Sequence, residues 1–194
     1  MVMATGNIQE TGHRDEVRKY LVPAGLLLLV IGVSALLFIY RDAVSTLGNW
    51  GYLGAFLIGL AANATVVFPM PGLLILFTLG ATFNPVFVGV AGAAGGAIGE
   101  LSGYLAGHSS KKLLGSNKTM RRAEVWMKRW GAAGIFLFAL VPFLPMDVAG
   151  LAAGALRYPV WKFLLASFAG KTLLYVGFSF AAAWGWDAIN GWVG

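Results

Sequence analysis

The sequence predicts an all-α integral membrane protein, with one N-terminal transmembrane helix followed by two inverted repeats. Its 194 residues are 58% hydrophobic and only 11% charged, whereas soluble domains are about 45–50% apolar and about 25% charged. The apolar residues form long uncharged runs, and prolines interrupt these runs at corresponding places in both halves. Each repeat is therefore predicted to be a re-entrant helical hairpin followed by one transmembrane helix. This composition excludes an ordinary soluble enzyme and a disordered protein.

The first transmembrane helix is predicted over residues 20–40. This segment contains no charged residue and has the length of about 20 residues that a helix needs to cross a core of about 30 Å. Residues 1–19 are polar and mixed in charge, which argues against a cleaved signal peptide. We expect them to form a cytoplasmic tail.

The first repeat, residues 45–107, must contain a break. No Asp, Glu, Lys or Arg occurs between residues 43 and 99, and a single helix of that length would be much longer than a membrane is thick. Pro69 and Pro71 interrupt the stretch, because proline cannot continue a helix without a kink or a break. We predict that the chain folds back at these two residues.

A short arm follows this break. Residues 72–83 would reach only about 18 Å as a helix, which is too short to cross the membrane. The chain is therefore predicted to enter and leave by the same face, as a re-entrant hairpin over residues 50–83. A transmembrane helix is predicted over residues 86–107.

The second repeat, residues 130–186, has the same plan. Pro142 and Pro145 interrupt an apolar segment and leave two arms that are too short to span. We predict a re-entrant hairpin over residues 130–156 and a transmembrane helix over residues 160–184.

The two repeats also match each other in sequence. At a spacing of 74 residues the halves align without a gap over the second arm and the transmembrane helix. The matched pairs include Pro71 with Pro145, Gly80 with Gly154, and Pro85 with Pro159. A repeat unit that crosses the membrane once must be inverted in its second copy, as in many transporters.

A basic linker over residues 108–129 sets the predicted orientation. Cytoplasmic loops are enriched in Lys and Arg, so this linker and the N-terminus are placed in the cytoplasm and the tail 187–194 outside. The linker has the pattern of an interfacial amphipathic helix. Its candidate lipid-headgroup ligands are Arg121, Arg122, Lys128 and Arg129, although a topology signal alone explains the same charges. We expect the plasma membrane of a prokaryote.

Three ionisable residues fall inside the predicted membrane segments, namely Glu100, Asp147 and Lys171. Such residues are costly in a membrane and are functional candidates by default. In the functional interpretation, Glu100 and Asp147 exchange protons or hold a cation and Lys171 holds an anionic group. In the structural interpretation, Asp147 caps a helix, and Glu100 and Lys171 form an ion pair that joins the repeats.

Other polar residues add weaker candidates, namely Asn63 and Tyr104. No enzyme motif is present, so we expect a protein that is not an enzyme and that binds no cofactor. The chain has two His and no Cys, so no metal site is predicted. The net charge is +6, and the basic residues lie between the apolar runs. This arrangement favours a membrane surface over nucleic acid as the partner.

The segment Gly99-Glu100-Leu-Ser-Gly103-Tyr104-Leu-Ala-Gly107 resembles the Gly-Asp/Glu-x-x-Gly-Tyr-x-x-Gly motif of the DedA family, also called VTT-domain or SNARE-associated-type membrane proteins. The resemblance covers about residues 45–185 and assigns Glu100 to the acid of the motif. Two features of many DedA proteins are missing: an acid in the first hairpin arm and arginines around the second hairpin. The chain therefore resembles a divergent branch.

The resemblance implies opposed re-entrant hairpins and work on membrane lipids. The function it suggests is that of a phospholipid scramblase or a polyprenyl-phosphate flippase, with proton dependence in some members, so we expect that this protein couples to protons or another cation. Two alternatives stay open, an ion-coupled exporter of small solutes or drugs and a membrane-organising protein that transports nothing. Glycine-rich helix faces would serve a homo-oligomer as well as internal packing.

Overall fold

The computed structural model describes residues 25, 28–29, 31–37, 39–64, 70–109, 118–142 and 144–193. These residues are almost entirely helical, and no strand occurs among them. The helices are α1 (Arg41–Ser45), α2 (Trp50–Ala64), α3 (Met70–Thr82), α4 (Pro85–Gly99), α5 (Leu101–Ser109), α6 (Lys118–Trp130), α7 (Ala132–Leu140), α8 (Met146–Ala155) and α9 (Val160–Val193). The all-α prediction is confirmed.

Two helices are long and apolar enough to cross a membrane, Pro85–Ser109 and Val160–Gly185. The first consists of α4 and α5, which continue into each other because Glu100 keeps helical dihedral angles and its carbonyl accepts a hydrogen bond from the Tyr104 N–H. Asn84 begins this helix, since its side chain accepts hydrogen bonds from the next backbone N–H groups. Both segments agree with the predicted transmembrane helices.

Within the predicted first transmembrane helix, residues 20–40, the structure describes residues 25, 28–29, 31–37 and 39–40. The stretch 31–37 is helical. Its apolar side chains are mostly exposed, and Leu36 keeps 59% of its surface accessible. Leu37 is the contact point with the rest of the protein, since it packs against a buried apolar cluster that includes Ala55 and Leu76.

The other apolar helices are short. Helices α3, α7 and α8 have 13, 9 and 10 residues, so their lengths are about 20, 14 and 15 Å. Each is shorter than a hydrocarbon core of about 30 Å. The structure differs from the prediction at two places, the first hairpin break and the C-terminal segment.

Pro71 does not lie in the break between the first two arms. It is the second residue of α3, where proline is tolerated because the first N–H groups of a helix have no partner within it. The break covers residues 65–69, including Pro69, which lie outside the described residues. In the second repeat the break is visible, since Val141 is extended and Pro145 precedes α8 in a non-helical conformation.

The C-terminal segment is also more helical than predicted. Helix α9 continues past residue 184 and ends at Val193, so residues 187–193 belong to it rather than to a separate tail. At 34 residues the helix is about 51 Å long, which exceeds the thickness of the hydrocarbon core.

The short helices pack on the two long ones in a crossed pattern. The first arm of each hairpin packs against the long helix of its own repeat, α2 against α4 and α7 against α9. The second arm packs against the long helix of the other repeat, α3 against α9 and α8 against α5. The long helices α4 and α9 also contact each other.

Matched glycines make the crossed contacts close. A Cβ on Gly80 of α3 would meet the backbone of Ser179 at 2.6 Å. A Cβ on Gly154 of α8 would collide with the backbone oxygen of Tyr104. These glycines correspond in the two repeats, and each lets the second arm reach the neighbouring backbone, as small residues do between membrane helices.

Two apolar clusters form the core, one on each side of a polar site. The first surrounds Leu76, Val88 and Tyr175. The second surrounds Ile135, Met146 and Phe163. Both clusters consist of side chains from both repeats, so neither repeat has a core of its own.

Candidate functional site

Lys171 on α9 holds two oxygen ligands in the centre of the protein. Its Nζ lies 3.0 Å from Oε1 of Glu100 and donates a hydrogen bond to Oδ1 of Asn63 at 2.6 Å. The three residues come from α9, from the junction of α4 and α5, and from α2. Lys171 keeps 5% of its surface accessible and Glu100 keeps 3%, so the pair is sealed from solvent.

Asn63 is oriented by two further contacts. Its Nδ2 donates to the carbonyl of Gly59 at 2.7 Å and to the hydroxyl of Tyr175 at 3.1 Å. These bonds fix the amide so that its oxygen faces the Lys171 ammonium, which can only donate. Lys171 Nζ also lies 5.8 Å from the centre of the Tyr175 ring, within the range of a cation–π contact.

The second carboxylate oxygen of Glu100 is free. Oε2 is buried and has no hydrogen-bond partner in the described part of the chain. A buried carboxylate oxygen without a partner is costly, so this atom is a site where a proton, a cation or a water molecule would be stabilised. A Cβ on Gly96 would come within 3.1 Å of Asn63 Nδ2, so a larger residue there would have to shift the cluster slightly.

A cavity of about 60 Å³ lies beside this cluster. That volume accommodates more than one water molecule. Asn63, Glu100 and Lys171 line it. The break of the second hairpin and the start of α8, including Pro142, Pro145 and Asp147, line it as well. The structure thus brings together the three predicted membrane charges around one cavity.

Asp147 occupies the second position of α8 and is half-buried. Its side chain does not cap the helix, because the residue at the cap position is Pro145 and no side-chain hydrogen bond is made there. The carboxylate still lies near the positive end of the helix dipole, which favours it. No salt bridge to Asp147 is formed within the described ranges, so it faces the cavity as a second acid.

Tyr104 lies outside this cavity. Its hydroxyl donates to the carbonyl of Tyr158 at 2.5 Å, and its ring packs against Phe163 and His108. It therefore joins α5 to the turn that precedes α9. Of the predicted polar candidates, Asn63 belongs to the ion-pair cluster and Tyr104 does not.

Tyr175 is the member of the cluster that the sequence interpretation missed. Its hydroxyl accepts a hydrogen bond from Asn63, and it is 5% exposed. The sequence spacing could have predicted it, because Tyr175 follows Lys171 by four residues and side chains at that spacing share one helix face.

The basic linker helix α6 presents its predicted headgroup ligands to the surface. Arg121, Arg122, Lys128 and Arg129 are exposed. On the other face Met127 is buried in the apolar cluster around Phe163, and α6 packs against α8. The exposed Trp126 and Trp130 rings stack at 6.2 Å, as expected for an aromatic anchor at an interface.

No group of three or more His, Cys, Asp and Glu that could hold a metal ion is found in the described ranges. The cavity instead combines one cation, two acids, the amide of Asn63 and the phenol of Tyr175 with an otherwise apolar lining.

Comparison with known proteins gives a family match. Residues 68–183 match the VTT domain, which covers more than half of the chain and includes all three buried charges. A relative from Bacillus subtilis (strain 168), described as an uncharacterized membrane protein, is 32% identical over 76 residues. That stretch covers 38% of this chain and 37% of the relative. No solved structure matches.

Proposed function

The chain belongs to the VTT-domain family, also called the DedA family, a family of membrane proteins, and we propose that it translocates lipids across a membrane. The activity would be that of a phospholipid scramblase or a polyprenyl-phosphate flippase. The resemblance to the DedA family implies a function in lipid transport. The physical support comes from the architecture and from the buried charges.

The architecture supports a pair of opposed re-entrant hairpins. The arms α3, α7 and α8 are too short to cross. The arms contact the long helices in the same crossed way in both repeats, as a two-fold axis in the membrane plane would produce. In this arrangement the hairpin breaks meet near the midplane, where irregular backbone is tolerated if it lines a cavity.

The cluster of Lys171, Glu100 and Asn63 beside the cavity is the observation that carries the proposal. Burying an ion pair contributes little net stability, because desolvation offsets attraction. In a membrane such groups are rare and mark the paths of ions and substrates. Glu100 and a second acid, Asp147, both line the cavity.

A transport step follows from this charge arrangement. Lys171 is the cation in the cavity, and Glu100 already neutralises it. An anionic headgroup that binds Lys171 must therefore displace Glu100. The displaced carboxylate then needs a proton or a cation, which couples movement of the anion to movement of a positive charge. Asp147, which also lines the cavity, is a second site for that charge.

One observation favours a different transporter. The cavity of about 60 Å³ fits a few water molecules or a small ion but is smaller than the 300–1,000 Å³ typical of ligand pockets. An ion-coupled exporter of small solutes would use the same charges. The lipid proposal requires the second hairpin to move away from α9 so that the cavity opens sideways.

The test is a scrambling assay in liposomes that contain a fluorescent phospholipid in both leaflets. An impermeant reductant added outside destroys the fluorescence of any lipid that reaches the outer leaflet. We expect wild type to lose fluorescence beyond the outer-leaflet fraction. The variants Glu100→Gln and Asp147→Asn should slow this loss at least tenfold.

Glu124→Gln is the matched control, since it removes an acid on α6 outside the cavity. Each variant is compared at equal amounts of folded, reconstituted protein. Normal rates in both cavity variants would contradict the proposal. If wild type moves no lipid but carries protons into dye-loaded vesicles, the exporter is favoured. If neither flux occurs, the charges serve the fold.

A further inference from the structure

A second cavity lies at the start of α9 and shares no residue with the ion-pair cavity. It is an open cleft of about 490 Å³, lined by Ala132, Tyr158, Trp161, Lys162, Leu165 and Ala166. This volume falls within the range of sites that bind small molecules. The cleft lies between the beginning of α7 and the first two turns of α9.

The lining has two chemical parts. Leu165, Ala166 and Ala132 supply an apolar surface, and Leu165 keeps 59% of its area exposed. Lys162 and Trp161 form the polar end, with Lys162 Nζ 5.3 Å from the centre of the Trp161 ring. A cation and an indole above an apolar strip match the headgroup region and the chain of a lipid.

One wall of the cleft is held in place by the backbone. The Tyr158 N–H donates to the carbonyl of Ala153 at 2.8 Å, and the Tyr158 carbonyl accepts the Tyr104 hydroxyl. Arg157, just before it, has a left-handed φ of 53°, a conformation that is uncommon for a residue with a side chain. A cleft with a fixed wall loses little conformational entropy when it binds a ligand.

The cleft lies next to the end of the basic helix α6, because one residue separates its lining residue Ala132 from that helix. Gly131 connects α6 directly to Ala132, and its left-handed φ of 50° makes the sharp turn between α6 and α7. The last turn of α6 contains the exposed Lys128 and Arg129. With Lys162, these residues give the surroundings of the cleft a positive charge that complements an anion.

We propose that this cleft binds one anionic phospholipid. The phosphate lies at Lys162 beside the Trp161 ring, and one acyl chain lies along Leu165, Ala166 and Ala132. The occupant is a lipid of the leaflet that faces the basic linker. This binding site is independent of the proposed transport path, since a lipid can be held here whether or not the protein moves lipids.

The test uses the intact protein in vesicles whose phospholipids carry bromine atoms on the acyl chains, because bromine quenches nearby tryptophan fluorescence. Brominated phosphatidylglycerol is compared with brominated phosphatidylcholine. Trp161→Phe, measured in parallel, isolates the signal of Trp161 by difference. We expect phosphatidylglycerol to bind beside Trp161 about fivefold more strongly than phosphatidylcholine, as one Lys at a membrane surface predicts.

Three variants complete the test. Lys162→Gln should remove the fivefold preference. Ala132→Phe should fill the cleft and reduce quenching by both lipids, whereas Ala133→Phe, which changes the exposed neighbour outside the cleft, should behave like wild type. Equal quenching by the two lipids in wild type would overturn the proposal. Unchanged quenching in Ala132→Phe would overturn it as well.

Discussion

Two oxygen atoms hold the ammonium group of Lys171 in the protein interior. Glu100 supplies the opposite charge at 3.0 Å, and Asn63 supplies an amide oxygen at 2.6 Å. The burial of either charge alone would cost several kcal/mol. Each buried charge is therefore stable only when the other is present, whatever the role of the pair in transport.

The mutation Lys171→Met tests this dependence. It leaves the Glu100 carboxylate buried without a cation, so we expect the free energy of unfolding to fall by about 3–5 kcal/mol. The double variant Glu100→Gln with Lys171→Met removes both charges and should recover most of that loss. The measurement is denaturant unfolding of the purified protein in detergent micelles.

The exposed Lys118 on α6 provides the control for this prediction. Lys118→Met removes the same charge from the surface and should change stability by less than about 0.5 kcal/mol. If the single and double variants at positions 171 and 100 were equally unstable, the ion pair would not be the reason for the loss.

Helix packing makes a separate prediction about glycine. Gly154→Ala brings a methyl group onto the backbone oxygen of Tyr104, so α8 must move away from α5. Overpacking of this kind costs about 1–3 kcal/mol. We expect a lower midpoint temperature in thermal unfolding, with loss of the crossed contact between α8 and α5.

Gly177→Ala on α9 is the matched comparison, since a Cβ there meets nothing within 4 Å. Alanine favours a helix over glycine by about 1 kcal/mol, so this variant should be as stable as wild type or more stable. Equal destabilisation by both changes would mean that contact with Tyr104 is not the cause of the loss.

The basic face of α6 predicts a dependence on lipid charge. We expect the backbone amides of α6 to exchange hydrogen more slowly in nanodiscs of anionic lipid than of zwitterionic lipid, because bound headgroups hold the helix at the surface. Replacing Arg121, Arg122, Lys128 and Arg129 with Gln should abolish the difference. Lys118→Gln should preserve it. Equal exchange in both lipids would indicate that the charges act only as a topology signal.

The sequence predicted the helices well where proline and charge mark their ends. The second arm of the predicted hairpin 130–156 corresponds to α8, and the predicted transmembrane helix 86–107 corresponds to Pro85–Ser109. The prediction failed where a helix has no such mark. Nothing after residue 184 stops α9, and Pro71 is in a position that a helix accepts.

The predicted orientation of the two repeats can be tested on the whole molecule. The chain contains no cysteine, so single-cysteine variants in sealed vesicles report which face a residue occupies. Asn49→Cys and Asn84→Cys flank the first hairpin and should react with an impermeant maleimide from outside the cell. Lys128→Cys and Lys162→Cys flank the second hairpin and should react from the cytoplasmic side.

Each hairpin provides its own internal control in this experiment. If Asn49→Cys and Asn84→Cys reacted from opposite sides, the first hairpin would cross the membrane and would not be re-entrant. If all four variants reacted from one side, the repeats would not be inverted.

The site itself was harder to predict than the helices. The sequence marked Glu100, Asp147 and Lys171 because charge is rare in apolar segments, and the structure places all three around one cavity. It could not show that Asn63 completes the cluster, because Asn63 and Lys171 are 108 residues apart. Their proximity follows from the packing of α2 on α4 and of α4 on α9, which no local pattern encodes.

Because of the crossed packing, the first half of the protein cannot complete its contacts until the second half has been synthesised. The ribosome adds about 5–20 residues per second, so Lys171 is made about 5–20 s after Asn63, which lies 108 residues upstream. In the later part of that interval Glu100 is already in the nascent chain but its cation is not. Helix α3 likewise has no α9 to pack against. The first half therefore lacks the partners of its buried acid and of its second arm until the second half is made.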